Sequence, residues 1–229
     1  MIGTRFRFVT KALSALALAW ATAANPASPT PVGAEHGMVV SAHRLASKAG
    51  IDVLKAGGNA VDAAVAVAYA LAVTFPEAGN LGGGGFMTIR FHDGRTAFID
   101  FRETAPRAAT ATMFQDANGN PVPQRSRRGY LAVGVPGTVA GLELARTKYG
   151  TKSRAALMAS AIGLAKDGFV LDQGDADFLA TGADEFRKDP ATAAIFLNRG
   201  EPWKPRQRLV QTDLSRSLSL IAKIGRAHV

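Results

Sequence analysis

Arginine is the side chain best built to grip a carboxylate, because its planar fork of N–H donors can meet both oxygens at once. Arg102 stands where such a grip is plausible chemistry. It sits in Ile99-Asp100-Phe101-Arg102-Glu103-Thr104-Ala105-Pro106, just past the end of a predicted strand and between two acidic residues. Two readings fit it: a ligand carboxylate on the guanidinium, or a structural salt bridge to Asp100 or Glu103. Upstream, Gly82 to Gly85 is a run of four glycines. A Walker phosphate loop ends in Lys and Ser or Thr, whereas this run ends in Phe86-Met87. A dinucleotide fingerprint lies between a strand and a helix, whereas these glycines precede a strand. What remains is a nest of backbone donors or a structural turn beside a crowded core.

Other chemistries lack their residues. The sequence has no cysteine, which excludes disulfides, thiolate metal sites and a thiol nucleophile. His36, His43 and His92 are far apart and have no metal-ligand spacing, so no metal site is expected. No serine stands in a G-x-S-x-G context, and no carboxylate pair suggests general acid and base. The formal net charge of +9 is spread along the chain. Its densest cluster, Arg125, Arg127 and Arg128, has no interleaved aromatics, so no nucleic-acid partner is expected. A solvated loop accounts for it.

The elements that position these residues follow from periodicity and punctuation. Gly37 to Ala42 is a strand candidate. Leu45 to Lys55 has helical period and stops at Gly57-Gly58. Asn59 is an N-cap for a second helix over Ala60 to Val73, with Asp62 three residues on facing the free N–H groups of the first turn. That helix is apolar on nearly every side and rich in alanine, so it is expected to be buried, and Pro76 enforces its exit. Phe86 to Phe91 and Thr96 to Phe101 read as a hairpin about the turn His92-Asp93-Gly94. Asp116 to Gly119 marks a turn on a surface excursion reaching Arg128. Further helices are predicted over Thr138 to Lys148, Ala155 to Lys166, Asp172 to Phe186 and Asp213 to Lys223, with a loop at Asn198 to Lys204. Helices flank hairpin strands without regular β-α alternation, which favours an α+β or layered α/β body over a doubly wound sheet.

At the N-terminus, Arg5, Arg7 and Lys11 precede the apolar run Ala12 to Ala21 and the Ala21-Thr22-Ala23 cleavage pattern. Residues 1–23 therefore read as a secretion signal, with a retained anchor as the alternative. The run is too short for a stable membrane span. Residues 24–35 form a proline-rich extended leader, and the expected location is the periplasm or outside the cell.

Four ordered motifs carry a resemblance. They are Gly57-Gly58-Asn59-Ala60-Val61-Asp62-Ala63-Ala64, Gly79-Asn80-Leu81-Gly82-Gly83-Gly84-Gly85-Phe86-Met87, Asp100-Phe101-Arg102-Glu103-Thr104-Ala105-Pro106 and Gly134-Val135-Pro136-Gly137-Thr138-Val139-Ala140-Gly141. With them the chain closely resembles the large-subunit portion of the gamma-glutamyltransferase (glutathione hydrolase) family, from about Glu35 to Ala222. That family is similar to cephalosporin acylases and belongs to the N-terminal-nucleophile hydrolases. The resemblance implies an αββα sandwich built jointly by two subunits of one precursor, here incomplete, with residues 36–223 as a partial large-subunit domain. It implies γ-glutamyl donors such as glutathione, with water, an amino acid or a peptide as acceptor, and no cofactor. It carries the family arginine that binds the donor's α-carboxylate onto Arg102. The family nucleophile is a threonine that becomes the N-terminus of the small subunit, and no threonine here matches its context, so no catalytic residue is assigned. The oxyanion donors, backbone N–H groups of a Gly-Gly pair, would also lie in the small subunit.

Residues 224–229, Ile-Gly-Arg-Ala-His-Val, can be encoded by a common sequencing adapter and read as a non-native tail of a partial gene, with a natural short paralogue as the alternative. The chain alone is expected to be inactive and poorly soluble, because core surface meant for the rest of the sandwich is exposed. An acylase acting on another amide and a non-enzymatic exported binding or structural protein are the competing functions.

Overall fold

The computed structural model describes residues 31–224. The proposed signal, residues 1–23, the first part of the leader and residues 225–229 lie outside the described residues. The chain divides into two units, Met1–Gly37 and Met38–Val229. In the first, the described residues 31–37 form no regular element. All elements below belong to the second.

Helix α1 spans Arg44–Lys55 and helix α2 Ala60–Thr74. His43 caps α1, its Nδ1 accepting the Leu45 N–H at 3.2 Å. Asn59 and Asp62 form a reciprocal capping box on α2. Ten residues of α2 are buried, while the face of Ala60, Ala64, Val67 and Leu71 is exposed or half-buried, so most of its circumference lies in the interior as its apolar sequence requires. Its alanines keep it slim, and α1, α3 and α4 pack around it. Strands β1 (Phe86–Arg90) and β2 (Thr96–Asp100) pair antiparallel with Thr88 opposite Phe98. Met87, Ile89 and Ile99 pack into the helical core. The alternate face carries Phe86 and Phe98, stacked at 6.0 Å and exposed, as the period of two dictates.

The excursion after β2 holds two short 3₁₀ turns, Pro123–Ser126 and Tyr130–Ala132. Helices α3 (Thr138–Tyr149) and α4 (Arg154–Asp167) follow. The two-residue strands β3 (Phe169–Val170) and β4 (Arg208–Leu209) pair antiparallel. Between them lie α5 (Gln173–Thr181), α6 (Ala183–Phe186) and α7 (Pro190–Phe196). Helix α8, Thr212–Ile224, packs on α4. Leu157, Met158, Leu209 and Leu218 are fully buried between these layers, each worth about 1.5–3 kcal/mol. Among the described residues, no helix is long and apolar enough to cross a membrane.

The expected α+β order is present, with three corrections. Gly37 to Ala42 forms no strand; no neighbouring strand bonds to it, and an extended segment without a ladder partner is not a sheet. The single helix expected over Asp172 to Phe186 is two, broken at Gly182, where the Phe186 ring occupies the space of a Cβ. Helix α7, begun by the Asp189 cap and Pro190 at its first position, was not anticipated, although its cap chemistry is of the usual kind.

Two carboxylates hold helices together. Asp62 has no exposed surface. It accepts hydrogen bonds from the Asn59 N–H, the Thr151 N–H and hydroxyl, and the Lys152 N–H, at 2.7–3.1 Å. Burial alone would raise its pKa; those donors outweigh it and hold the carboxyl below its ordinary value. Glu143 on α3 receives both Arg154 of α4 and Arg146 through forked pairs at 2.6–3.0 Å. The Arg154 and then Arg146 hydrogen bonds pull its pKa from 4.5 to about 2, against partial burial.

Two outcomes follow for a form of the protein that unfolds cooperatively. Asp62→Ala strands several buried donors and should cost about 3–5 kcal/mol in urea unfolding; a cost near zero would show that the network is dispensable. A depressed native pKa means that the unfolded chain binds more protons, so Glu143's contribution is complete above pH 4.5 and fades as pH falls toward about 2. The stability gap between the parent and Glu143→Gln should narrow across that window, and a gap independent of pH would contradict the pairing.

Candidate functional site

Three of the four sequence motifs meet around Arg102. The first is the segment 80–85 with its glycine run, the second is 100–104 carrying Arg102, and the third is 134–138, which leads into α3. Segments one and two pair through Gly85 and Phe101, whose N–H and C=O groups exchange bonds at 3.0 and 3.4 Å. Segments two and three pair through Thr104 and Val135, at 2.8 and 3.2 Å. Segments three and one join where the Gly83 carbonyl accepts the N–H groups of Gly137 and Thr138, at 2.8 and 3.1 Å. Asn80 reinforces that junction: its Oδ1 accepts the Gly83 N–H at 2.9 Å and the Thr138 hydroxyl at 2.5 Å.

Glycine is required here by close approach. A Cβ on Gly137 would collide with the Phe101 carbonyl, and one on Gly141 with the Phe101 ring. Gly84 and Gly85 are thus a backbone spacer against Phe101 and Glu103, and the N–H groups of Gly83 and Gly85 are spent on protein acceptors. Beside this junction, Asp100, Phe101, Gly137, Ala140, Gly141 and Glu143 help line an open cavity of about 500 Å³. Arg102 is not among its lining residues.

Arg102 sits immediately after β2. Its own N–H donates to Asp100 Oδ1 at 2.9 Å, which turns the chain out of the strand. The salt bridge weighed from sequence is present only in loose form: Arg102 Nε lies 3.5 Å from Glu103 Oε2, and the arginine side chain is 68% exposed. Asp100 meets its backbone rather than its guanidinium.

The fourth motif, Gly57 to Ala64, does not reach this region. It acts on the far end of α3, a helix of about 18 Å: Asn59 Nδ2 donates to the Tyr149 carbonyl at 2.7 Å, and Asp62 takes the residues that follow. Of the histidines, His43 is a buried cap and His92 an exposed turn residue. Among the described residues, no cluster of His, Asp and Glu is arranged to hold a metal.

Sequence reasoning missed Asn80 and Thr138 as a pair, although each stands in a quoted motif; nothing local signals a bond across 58 residues. It also missed Glu143 between Arg146 and Arg154. The i,i+3 spacing of Glu143 and Arg146 was a readable signal, whereas the bond to Arg154 depends on how α3 packs on α4.

Comparison with known proteins matches residues 46–229 to the model of the gamma-glutamyltranspeptidase family. The chain is 60% identical over 217 residues to the glutathione hydrolase proenzyme of Pseudomonas sp. (strain A14), covering 94% of this chain and 38% of that protein. It is 50% identical over 216 residues to the glutathione hydrolase proenzyme of Escherichia coli (strain K12), covering 90% and 37%. The chain thus spans little more than a third of the length of these relatives. The crystal structure of the Helicobacter pylori gamma-glutamyltranspeptidase superposes with a TM-score of 0.82 at 44% identity, over 85% of this chain and 56% of that one. Helices packed on one face of a strand pair, with the other face open, are accordingly part of the N-terminal-nucleophile hydrolase sandwich. The chain belongs to the gamma-glutamyltranspeptidase family of enzymes.

Proposed function

We propose that this chain supplies the carboxylate-recognising wall of an exported γ-glutamyl hydrolase and transferase, with Arg102 as the donor's α-carboxylate clamp. The observation that carries the reading is the state of Arg102. Its backbone is held on both flanks by ladder bonds, while its guanidinium is 68% exposed with one long contact to Glu103. A fork fixed at its base and open at its tip is what bidentate capture of a carboxylate needs. By contrast, the arginine forks of Arg146 on α3 and Arg154 on α4 are filled by Glu143.

The nucleophile of this reading is a threonine at the N-terminus of the small subunit, with its own amine as base. Attack on the γ-carbonyl breaks its amide bond, and the amine product leaves with the proton the base took from the threonine hydroxyl. Water in hydrolysis, or the amine of an amino acid or peptide in transfer, then displaces the threonine from the acyl-enzyme. Glutathione and related γ-glutamyl amides are the donors. Arg102 performs no bond making. It holds the donor at a fixed distance from the scissile carbonyl, so its contribution is orientation. Export rests on Arg5, Arg7, Lys11 and the Ala21-Thr22-Ala23 pattern.

In the complete two-subunit enzyme, Arg102→Ala should lower kcat/KM for γ-glutamyl release from glutathione by more than about tenfold. Arg102→Lys should recover only part, since an ammonium lacks the fork. A loss smaller than tenfold for Arg102→Ala would remove the clamp from the mechanism. For export, mass spectrometry of the mature protein should give an N-terminus at Ala24; an intact Met1 start on the secreted enzyme would contradict the cleavage assignment.

A further inference from the structure

A clamp is only as accurate as the backbone that carries it. Segments 80–85, 100–104 and 134–138 form a closed ring of three hydrogen-bonded junctions, and Arg102 lies between two of them. Two junctions are ordinary pairs of backbone bonds, at Gly85 with Phe101 and at Thr104 with Val135. The third, which closes the ring, is different in kind. Its first strand is four consecutive glycines, the backbone with the greatest conformational freedom and with no side chains to lodge it. Something outside the run has to hold it.

Asn80 does so from two residues before the run. Gly83 N can only donate, so the Asn80 atom that faces it at 2.9 Å is the carbonyl oxygen. The amide nitrogen points the other way and donates to the Ala78 carbonyl at 3.0 Å. The same Oδ1 receives the hydroxyl of Thr138, the first residue of α3. Thr138 is buried, 5% exposed, so if that bond is lost no bulk water replaces it. The Gly83 carbonyl meanwhile accepts the first N–H groups of α3. The glycine run and the helix start are therefore joined by two backbone bonds to the Gly83 carbonyl and braced by one amide and one hydroxyl.

We propose that Asn80 and Thr138 are positioning residues for Arg102, acting through closure of this ring and never touching substrate. The inference rests on the reading of Arg102 as the carboxylate clamp. Loss of the Asn80–Thr138 brace leaves the third junction on its backbone bonds alone and lets both flanking pairs shift together, which moves the guanidinium without unfolding the site. The damage then appears as lost discrimination for the donor's carboxylate.

The test uses the processed two-subunit enzyme and two donors, a γ-glutamyl amide with a free α-carboxylate and its α-carboxamide analogue. The ratio of their kcat/KM values measures the clamp. Thr138→Val keeps the shape and removes the hydroxyl; it should lower the ratio about fivefold, chiefly through KM for the carboxylate donor, the scale of one lost hydrogen bond. Thr138→Ser keeps the hydroxyl and should stay within about twofold of the parent. If Arg102→Ala collapses the ratio while processed Thr138→Val leaves it unchanged, the positioning role is overturned and the clamp stands. If Arg102→Ala itself leaves the ratio unchanged, the clamp reading falls and the positioning role falls with it. Equal losses for both donors in Thr138→Val would mark a purely structural hydroxyl and overturn the proposal. Should Thr138→Val fail to mature, Asn80→Ala removes the side-chain brace from the other side while the backbone bonds to the Gly83 carbonyl remain, and a normal ratio there overturns it equally.

Discussion

Asp62 is a carboxylate with no exposed surface, and four donor groups from two distant segments converge on it. Burying a charge is costly unless its lone pairs are filled, and here the Asn59 N–H, the Thr151 N–H and hydroxyl and the Lys152 N–H fill them. The consequence is geometric as much as energetic. The N-terminus of α2 and the turn between α3 and α4 are locked to one point, with Asn59 on the Tyr149 carbonyl and Lys152 Nζ on the Ala56 carbonyl completing the seam. Helix α3 is thereby fixed at its C-terminal end to α2, the most buried helix among the described residues.

The N-terminal end of the same helix is fixed at the glycine run and at Phe101. Gly137 and Gly141 let α3 sit directly on the strand exit that carries Arg102. A single rod about 18 Å long thus has a charge-filled socket at one end and the segment that carries Arg102 at the other. Glu143, with Arg146 and Arg154 on its two oxygens, ties the middle of the rod to α4. This arrangement explains why the Gly57–Ala64 motif belongs with the site although it does not border it.

What was legible in the sequence follows the range of each interaction. The capping box of Asn59 and Asp62, the buried alanine-rich helix and the hairpin about Gly94 are local, and each stands where its residue pattern put it. Thr151 was silent, because its bond to Asp62 spans 89 residues. Strands β3 and β4 have two residues each, too few for any period to show, and exist because Leu209 and Phe169 share the core. Gly37 to Ala42 has the composition of a strand, but composition supplies no partner. At the candidate site, Arg102 stood out by residue type and neighbours. The ring of bonds around it did not, since those bonds are mostly backbone to backbone and the one side-chain closure joins residues 58 apart.

The looseness of Arg102's contact to Glu103 bears on what the residue can do. A guanidinium paired as Arg154 is, forked on a partly buried carboxylate at 2.6–2.9 Å, would have to give up a partner before taking a ligand, and breaking such a pair is costly. An exposed contact with Nε 3.5 Å from the carboxylate is worth about 0–1 kcal/mol, so a carboxylate ligand would displace little. Glu103 also keeps a negative charge beside the fork. That neighbour weakens the attraction for stray anions and leaves the balance to ligands that add contacts of their own. Under the proposed clamp role, selectivity depends on where the fork points rather than on how strongly it is charged. In a segment flanked by glycines, direction is the property that hydrogen-bonded closure, and not side-chain packing, has to supply.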